Sequence, residues 1–423
     1  MSINPKPERE ILGIWWLPSN PNEKWVGNLI LKPDESPQLT FNVPKGFFHL
    51  SKDRPTVIHG QDKNAHPITL LWPSQPSSTG SAILSQMKYW AHCAVLGIQI
   101  PDHKAFLVSS FIFQMQHLYE WAGISGLNTT AGDTLHDFTI QFKRPKDQIF
   151  VIDFDLTIEL RSVYCLQNPL KKRVIEEEIC VAFISKKGLD LERCEHLLNS
   201  FRHLLHFAVL RKVFPVKLMG YKNDYGSTHD GHFIPHDIEI WHSLIREPVE
   251  SEIDPERWLF TLGDIHAQFG TFMGNWIAYV KRYEEALDCY FATVYHRLPD
   301  SIEHLSLTQA FDAYHGEKYA SHKKVNFGEK IRELADSNRA HLKGIIDDPK
   351  DFARTVLHNR NYYTHHNPIW KKEGRVLSGA ALYKLNQQLR VLFQMCVLTD
   401  MGIASDRFAR LRRQLAFEVI DFA

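Results

Sequence analysis

FGTFMGNWIAYVKRYEEALDCYFATVYHRL, Phe269–Leu298, decides how the second half of this chain is read. Phe269, Phe272, Met273, Trp276, Val280, Tyr283, Leu287, Tyr290, Phe291, Val294 and Leu298 recur every three or four residues, the period of one helix face. Pro299 closes the stripe because it cannot continue the hydrogen-bond ladder. So many large rings on one face are core residues of a bundle rather than a binding surface. Downstream the same period returns in Ser301–Tyr314, Val325–Arg339, Pro349–His365, Leu377–Met401 and Ser405–Phe417, with Gly316, Gly374 and Gly402 between them. The expectation is an all-α bundle of five or six helices from about residue 260 to 423.

Upstream, the period shortens to two. Asn28–Lys32 and Gln38–Val43 are β-prone runs separated by the turn chemistry of Pro33-Asp34-Glu35-Ser36-Pro37. Phe106–Met115, the alternating Gln148–Leu160 and Glu178–Ser185 add further strands. Two helices are expected among them, at Ser81–Val95 and Leu189–Val213. Residues 1–245 thus read as an α+β domain with a mainly antiparallel sheet. The stretch Tyr221–Arg257, rich in Gly, Asp, Pro and His, is the expected boundary.

At 423 residues the chain exceeds one ordinary core, so two domains are the natural division. The 49 Lys+Arg balance the 49 Asp+Glu, but residues 321–423 hold 18 basic against 11 acidic. A basic final quarter suits an RNA partner, although an ordinary solvated helix surface gives the same count. The six Cys are scattered without a Cys-x-x-Cys pair, which argues for a reducing compartment. No apolar run nears ~18 residues and Met1–Glu10 is polar, so a cytoplasmic protein without a membrane partner is expected. His229, His232, His236 and His242 match no compact zinc spacing, so polar loop histidines, and no metal or cofactor, are expected.

Chemistry concentrates at Arg360-Asn361-Tyr362-Tyr363-Thr364-His365. Arg is a permanent cation whose planar fork grips phosphate oxygens. His moves a proton near neutrality. One can stabilise charge on phosphorus while the other takes the proton of an RNA 2′-OH, with no metal required. The plainer reading is a helix C-terminus carrying cations against the dipole. Pro368 ends the helix near His365 and His366. On a regular helix, five residues turn by about 140°, so bringing Arg360 and His365 together needs a bend, which Asn361 and Asn367 would allow.

This spacing resembles the Arg-x(4–6)-His signature of HEPN ribonucleases, in which a polar residue, often Asn, follows the Arg. Gly13-Ile14-Trp15-Trp16-Leu17-Pro18, followed by Val26-Gly27-Asn28-Leu29, resembles the start of the N-terminal domain of ApeA proteins. These bacterial defence proteins pair an α+β sensor-like domain with a C-terminal HEPN domain. Ser109–Glu120, leading into Trp121 and Gly123, and Leu307–His315 resemble further stretches of that family. Many relatives carry Glu where this chain has Asp312.

The resemblance implies catalytic roles for Arg360 and His365 and support from Asn361, with His366 a rival to His365. It gives Asp312 a less certain supporting role. Tyr362 and Tyr363 are candidates for stacking on bases or for core packing. The resemblance also implies an endoribonuclease acting in anti-phage defence on cellular RNA, tRNA among the candidates, as a homodimer through the HEPN domain. Attack by the 2′-OH would leave a 2′,3′-cyclic phosphate. A phage-derived trigger on the N-terminal domain is the expected partner. The alternative is a non-catalytic HEPN scaffold for RNA or protein, with the first half a ligand-binding module whose Trp15, Trp16 and Trp25 line a groove or simply pack.

Overall fold

A computed structural model describes residues 8–44, 55–74, 77–80, 84–131, 138–167, 174–230, 232–247, 258–319, 325–366, 368–403 and 407–408. These fall into two compact units, one within Met1–Arg202 and Val213–Ile253, the other within His203–Lys212 and Asp254–Ala423.

The first unit opens with β1 (Arg9–Leu17), β2 (Asn20–Leu31), β3 (Gln38–Pro44), β4 (Val57–Asp62), β5 (Pro67–Pro73), β6 (Ser77–Gly80) and β7 (Leu84–Leu96). After β8 (Val108–Met115) come α1 (Leu118–Ala122), β9 (Leu127–Ala131), β10 (Phe138–Phe142), β11 (Gln148–Val151), β12 (Leu156–Gln167) and β13 (Val174–Leu189). Helix α2 (Leu191–Val209) precedes β14 (Pro215–Tyr221), β15 (Gly226–His229), β16 (His232–Pro235) and β17 (Ile238–His242). Thirteen strands join one antiparallel sheet in the order β11-β12-β13-β8-β14-β17-β7-β3-β2-β1-β4-β5, with β6 beside β7. Because β5 also pairs with β7, the last six strands of that path close into a barrel. Closure leaves no free edge there.

The three early tryptophans pack rather than line a groove: Trp15, Trp16 and Trp25 are buried. Trp15 lies against Gly60, where a Cβ would come within 2.3 Å of the indole, so only glycine fits. Its Nε1–H donates to the Gly27 carbonyl at 3.1 Å.

Three expectations for this unit need correction. Ser81–Val95 is not helical; β7 occupies the stretch. Its Gln, Met, Lys and Ala suggest a helix, but Ser85, Met87, Tyr89, Ala91 and Cys93 point inward at alternate positions. Pairing along β7 with β3, β5, β6 and β17 overrides propensity. Gln148–Leu160 is a hairpin, not one strand. The Asp153 carboxylate accepts the Asp155 and Leu156 amides at 2.7 Å each, and this Asx-type turn divides β11 from β12. Within Tyr221–Arg257, β15, β16 and β17 stand where loop was expected, and His242 ends a strand of the main sheet.

The second unit contains α3 (Leu262–Ile265), α4 (Phe269–Arg282), α5 (Glu284–Tyr295), α6 (Asp300–Lys318), α7 (Phe327–Ser337) and α8 (Arg339–Leu342). It continues through α9 (Pro349–His365), α10 (Pro368–Lys372) and α11 (Ala380–Asp400). No strand follows His242 among the described residues. The apolar stripe is split at Tyr283, whose φ of −107° and ψ of 28° leave the helical region between α4 and α5. Rings from both sides of the break meet in one core: Tyr290 stacks on Phe207 at 5.6 Å and on Phe393 at 4.8 Å, and Trp276 meets Phe207 edge-on. The helix expected over Ser405–Phe417 lies almost wholly outside the described residues.

Candidate active site

Helix α9 carries the motif, and its sequence fixes both ends. Asp348 caps the N-terminus by accepting the Lys350 and Asp351 amides at 2.9 and 3.2 Å, with Pro349 at the first helical position. Phe352, Ala353, Val356 and Asn359 form the buried face. At the far end His366 turns left-handed, φ 50°, and its N–H donates to the Tyr362 carbonyl at 2.6 Å.

Asn359 is fully buried inside this apolar face and locks α9 to the segment ahead of α11. Its Nδ2 donates to the Thr355 carbonyl, and its Oδ1 accepts the Leu377 amide, each at 2.8 Å. The Tyr363 hydroxyl donates to the Leu377 carbonyl at 2.6 Å. Both backbone groups of Leu377 are thus held by α9 side chains, and Tyr363 has a structural role. Behind it, fully buried His304 meets Asn386 Oδ1 through Nδ1 at 2.9 Å. Burial pushes this imidazole below its usual range, opposed by hydrogen bonds to Asn386 and the Val356 backbone. The sequence reading missed His304, Asn359 and Asn386. Their signal was a polar side chain recurring on an otherwise apolar helix face.

The bend that would bring the pair together is absent. Helix α9 remains regular through His365, and only His366 departs, so Arg360 and His365 stay about 140° apart around the axis. Helical spacing places Asn361 with His365 instead, four residues on, together with His358. His365 and His366 are exposed; Tyr362 is half-buried, with its ring 5.8 Å from His366. Arg360 faces the opposite way, its guanidinium carbon 5.1 Å from the centre of the Phe327 ring at the start of α7. One turn along α7, Lys330 Nζ pairs with Asp312 Oδ1 at 2.6 Å. Asp312 therefore balances Lys330. Nothing in the sequence pattern singled out Phe327 or Lys330.

A cleft of about 730 Å³ lies beside the N-terminal end of α9. Asp347, Asp348 and Asp351 face it against Lys384, a balance that repels a phosphodiester.

Two family models match the chain: ApeA N-terminal domain 1 over residues 10–276, and Apea-like HEPN over residues 281–407. The chain belongs to the ApeA family. No curated protein and no solved structure matches it. The ApeA-type architecture pairs the strand-rich first part with a HEPN helical bundle, as the resemblance implied. HEPN domains are generally ribonucleases, and typically bind RNA and dimerise. Arg360, Asn361 and His365 all fall within the HEPN match. Among the described residues, no helix is long and apolar enough to cross a membrane.

Proposed function

We propose that this ApeA-type chain is a metal-independent endoribonuclease acting in bacterial anti-phage defence in the cytoplasm, cleaving cellular RNA, with tRNA a candidate substrate. His365 transfers the proton of the 2′-OH, and Arg360 stabilises the pentavalent phosphate that forms when the 2′-oxygen attacks. The P–O5′ bond breaks, leaving a 2′,3′-cyclic phosphate and a 5′-OH. Asn361, on the face of His365, supports the imidazole. Residues 1–245 serve as the sensor-like part, engaged by a phage-derived trigger, and 260–423 as the nuclease.

The observation that carries this reading is the Arg360 and His365 pair at the C-terminal end of α9, inside the HEPN match. A straight α9 holds Arg360 and His365 about 140° apart around its axis, which favours a site completed by a second chain. A two-fold dimer through the HEPN bundle supplies the Arg360 of one chain opposite the His365 of its partner, consistent with HEPN pairing.

Sequencing of RNA 5′-OH ends in bacteria expressing wild type or His365→Ala tests the proposal. New 5′-OH ends should accumulate only with wild type. Equal ends from both proteins would make the motif structural and leave a non-catalytic HEPN scaffold as the reading.

A further inference from the structure

Three side chains from distant parts of the strand-rich unit converge on one point outside the nuclease motif. His92 lies on β7, His242 at the end of β17 and Glu195 in the first turns of α2. His92 Nε2 is 2.7 Å from Glu195 Oε1 and 3.2 Å from His242 Nε2, which is 3.9 Å from the same carboxylate oxygen. On the neighbouring strand β5, Trp72 stands edge-on to His92 at 5.5 Å between ring centres and walls one side. His92 and Glu195 are partly exposed, 41% and 33%, so an ion has a path in. His242 is more enclosed at 11%.

Protons alone cannot satisfy these contacts. The Leu244 amide donates to His242 Nδ1 at 3.0 Å, which puts the neutral ring's proton on Nε2. If His92 Nε2 carries a proton for Glu195, two N–H groups confront each other. If His92 instead presents its lone pair to His242, that lone pair faces the carboxylate oxygen at 2.7 Å. One contact is repulsive in either assignment. A cation at the centre makes all three atoms donors to it. The separations of 2.7, 3.2 and 3.9 Å straddle the roughly 3.3 Å edge of a tetrahedron with metal–ligand bonds of 2.0–2.1 Å.

We propose that His92 Nε2, His242 Nε2 and a Glu195 carboxylate oxygen form a mononuclear site for a borderline first-row divalent cation, zinc foremost, with the remaining coordination open to water or a ligand atom. Two imidazoles and one carboxylate suit such ions, whereas calcium and magnesium prefer all-oxygen sets. Three protein ligands are the number found in open rather than closed zinc sites. Two features oppose occupancy. Binding through Nε2 moves the ring proton of His242 to Nδ1, so the occupied site gives up the Leu244 hydrogen bond. The positive charges of Arg202 and Arg246 also act on His242, although Arg246 is paired with Asp34.

Tag-free full-length protein, stripped with chelator, would be titrated with zinc by calorimetry and with cobalt by visible absorption. Wild type should bind one equivalent and show the ligand-field bands of low-coordinate cobalt. His92→Ala and Glu195→Gln should each weaken binding by at least about tenfold. Both side chains are part-exposed and Gln is isosteric, so circular dichroism melts should be unchanged. Wild-type binding no tighter than that of the His92→Ala/Glu195→Gln double variant, or an absence of cobalt bands, would overturn the proposal. The readouts are independent of RNA cleavage, so the nuclease reading stands or falls separately.

Discussion

Arg360 offers a planar charged fork packed over Phe327, and no other side chain reproduces both properties. Arg360→Ala should reduce RNA cleavage by about 10²–10³-fold, and His365→Ala by about 10²–10⁴-fold. Arg360→Lys should fail as well, because a point charge neither forks nor stacks. His366 sits beyond the helix in a left-handed turn, so His366→Ala should be much milder in the same single-turnover assay. A dead His366→Ala beside an active His365→Ala would move the catalytic assignment by one residue. In the strand-rich unit, Glu178 is pushed up to about 7 by burial and by Glu120 and Glu176. The folded state then keeps a proton that the unfolded chain, near 4.5, has released. Stability from this group is complete below the unfolded value and lost as pH rises through about 7. Glu178→Gln should therefore raise the melting temperature more at about pH 8 than at about pH 5.5. Equal gains at the two pH values would contradict the shift.

Helix α9 was legible in the sequence to its last residue because its signals are local: the Asp348 cap, Pro349 at the first position and Pro368 beyond the end. Strand β7 was not, because what makes it a strand is pairing with four partners elsewhere in the chain. The same distinction holds for the sites. Arg360 and His365 stand in one hexapeptide, whereas His92 and Glu195 are 103 residues apart and His92 and His242 are 150. The reading that set aside His229, His232, His236 and His242 as loop residues had no means of pairing the last with β7. Helix α9 also supplies a test of its own attachment. Asn359→Ala leaves the part-buried Leu377 amide without its acceptor and empties a buried polar site, which should cost about 1–3 kcal/mol by urea denaturation. Tyr363→Phe removes one hydrogen bond to the Leu377 carbonyl and should cost about 1 kcal/mol while leaving cleavage largely intact. A Tyr363→Phe protein that is fully stable but inactive would instead place this ring in RNA contact.

For the whole molecule, the change of period from two to 3.6 separated a sheet from a bundle, because each period states which face is buried. Barrel closure through β5 and β7 was not legible, since strand order depends on non-local pairing. In the proposed mechanism, Arg360 and His365 meet across two chains. If each site takes Arg360 from one chain and His365 from its partner, two dead variants should rescue each other. Coexpressed Arg360→Ala and His365→Ala chains form mixed dimers in which one site regains both groups and the other has neither. With random pairing, half the dimers are mixed and half their sites are intact, so about a quarter of wild-type activity should return. Each variant alone should remain inactive, and a variant carrying both substitutions should rescue neither. Coexpression that restores nothing, with mixed dimers confirmed by mass spectrometry, would mean that one chain brings its own pair together, through a change in α9 on RNA binding.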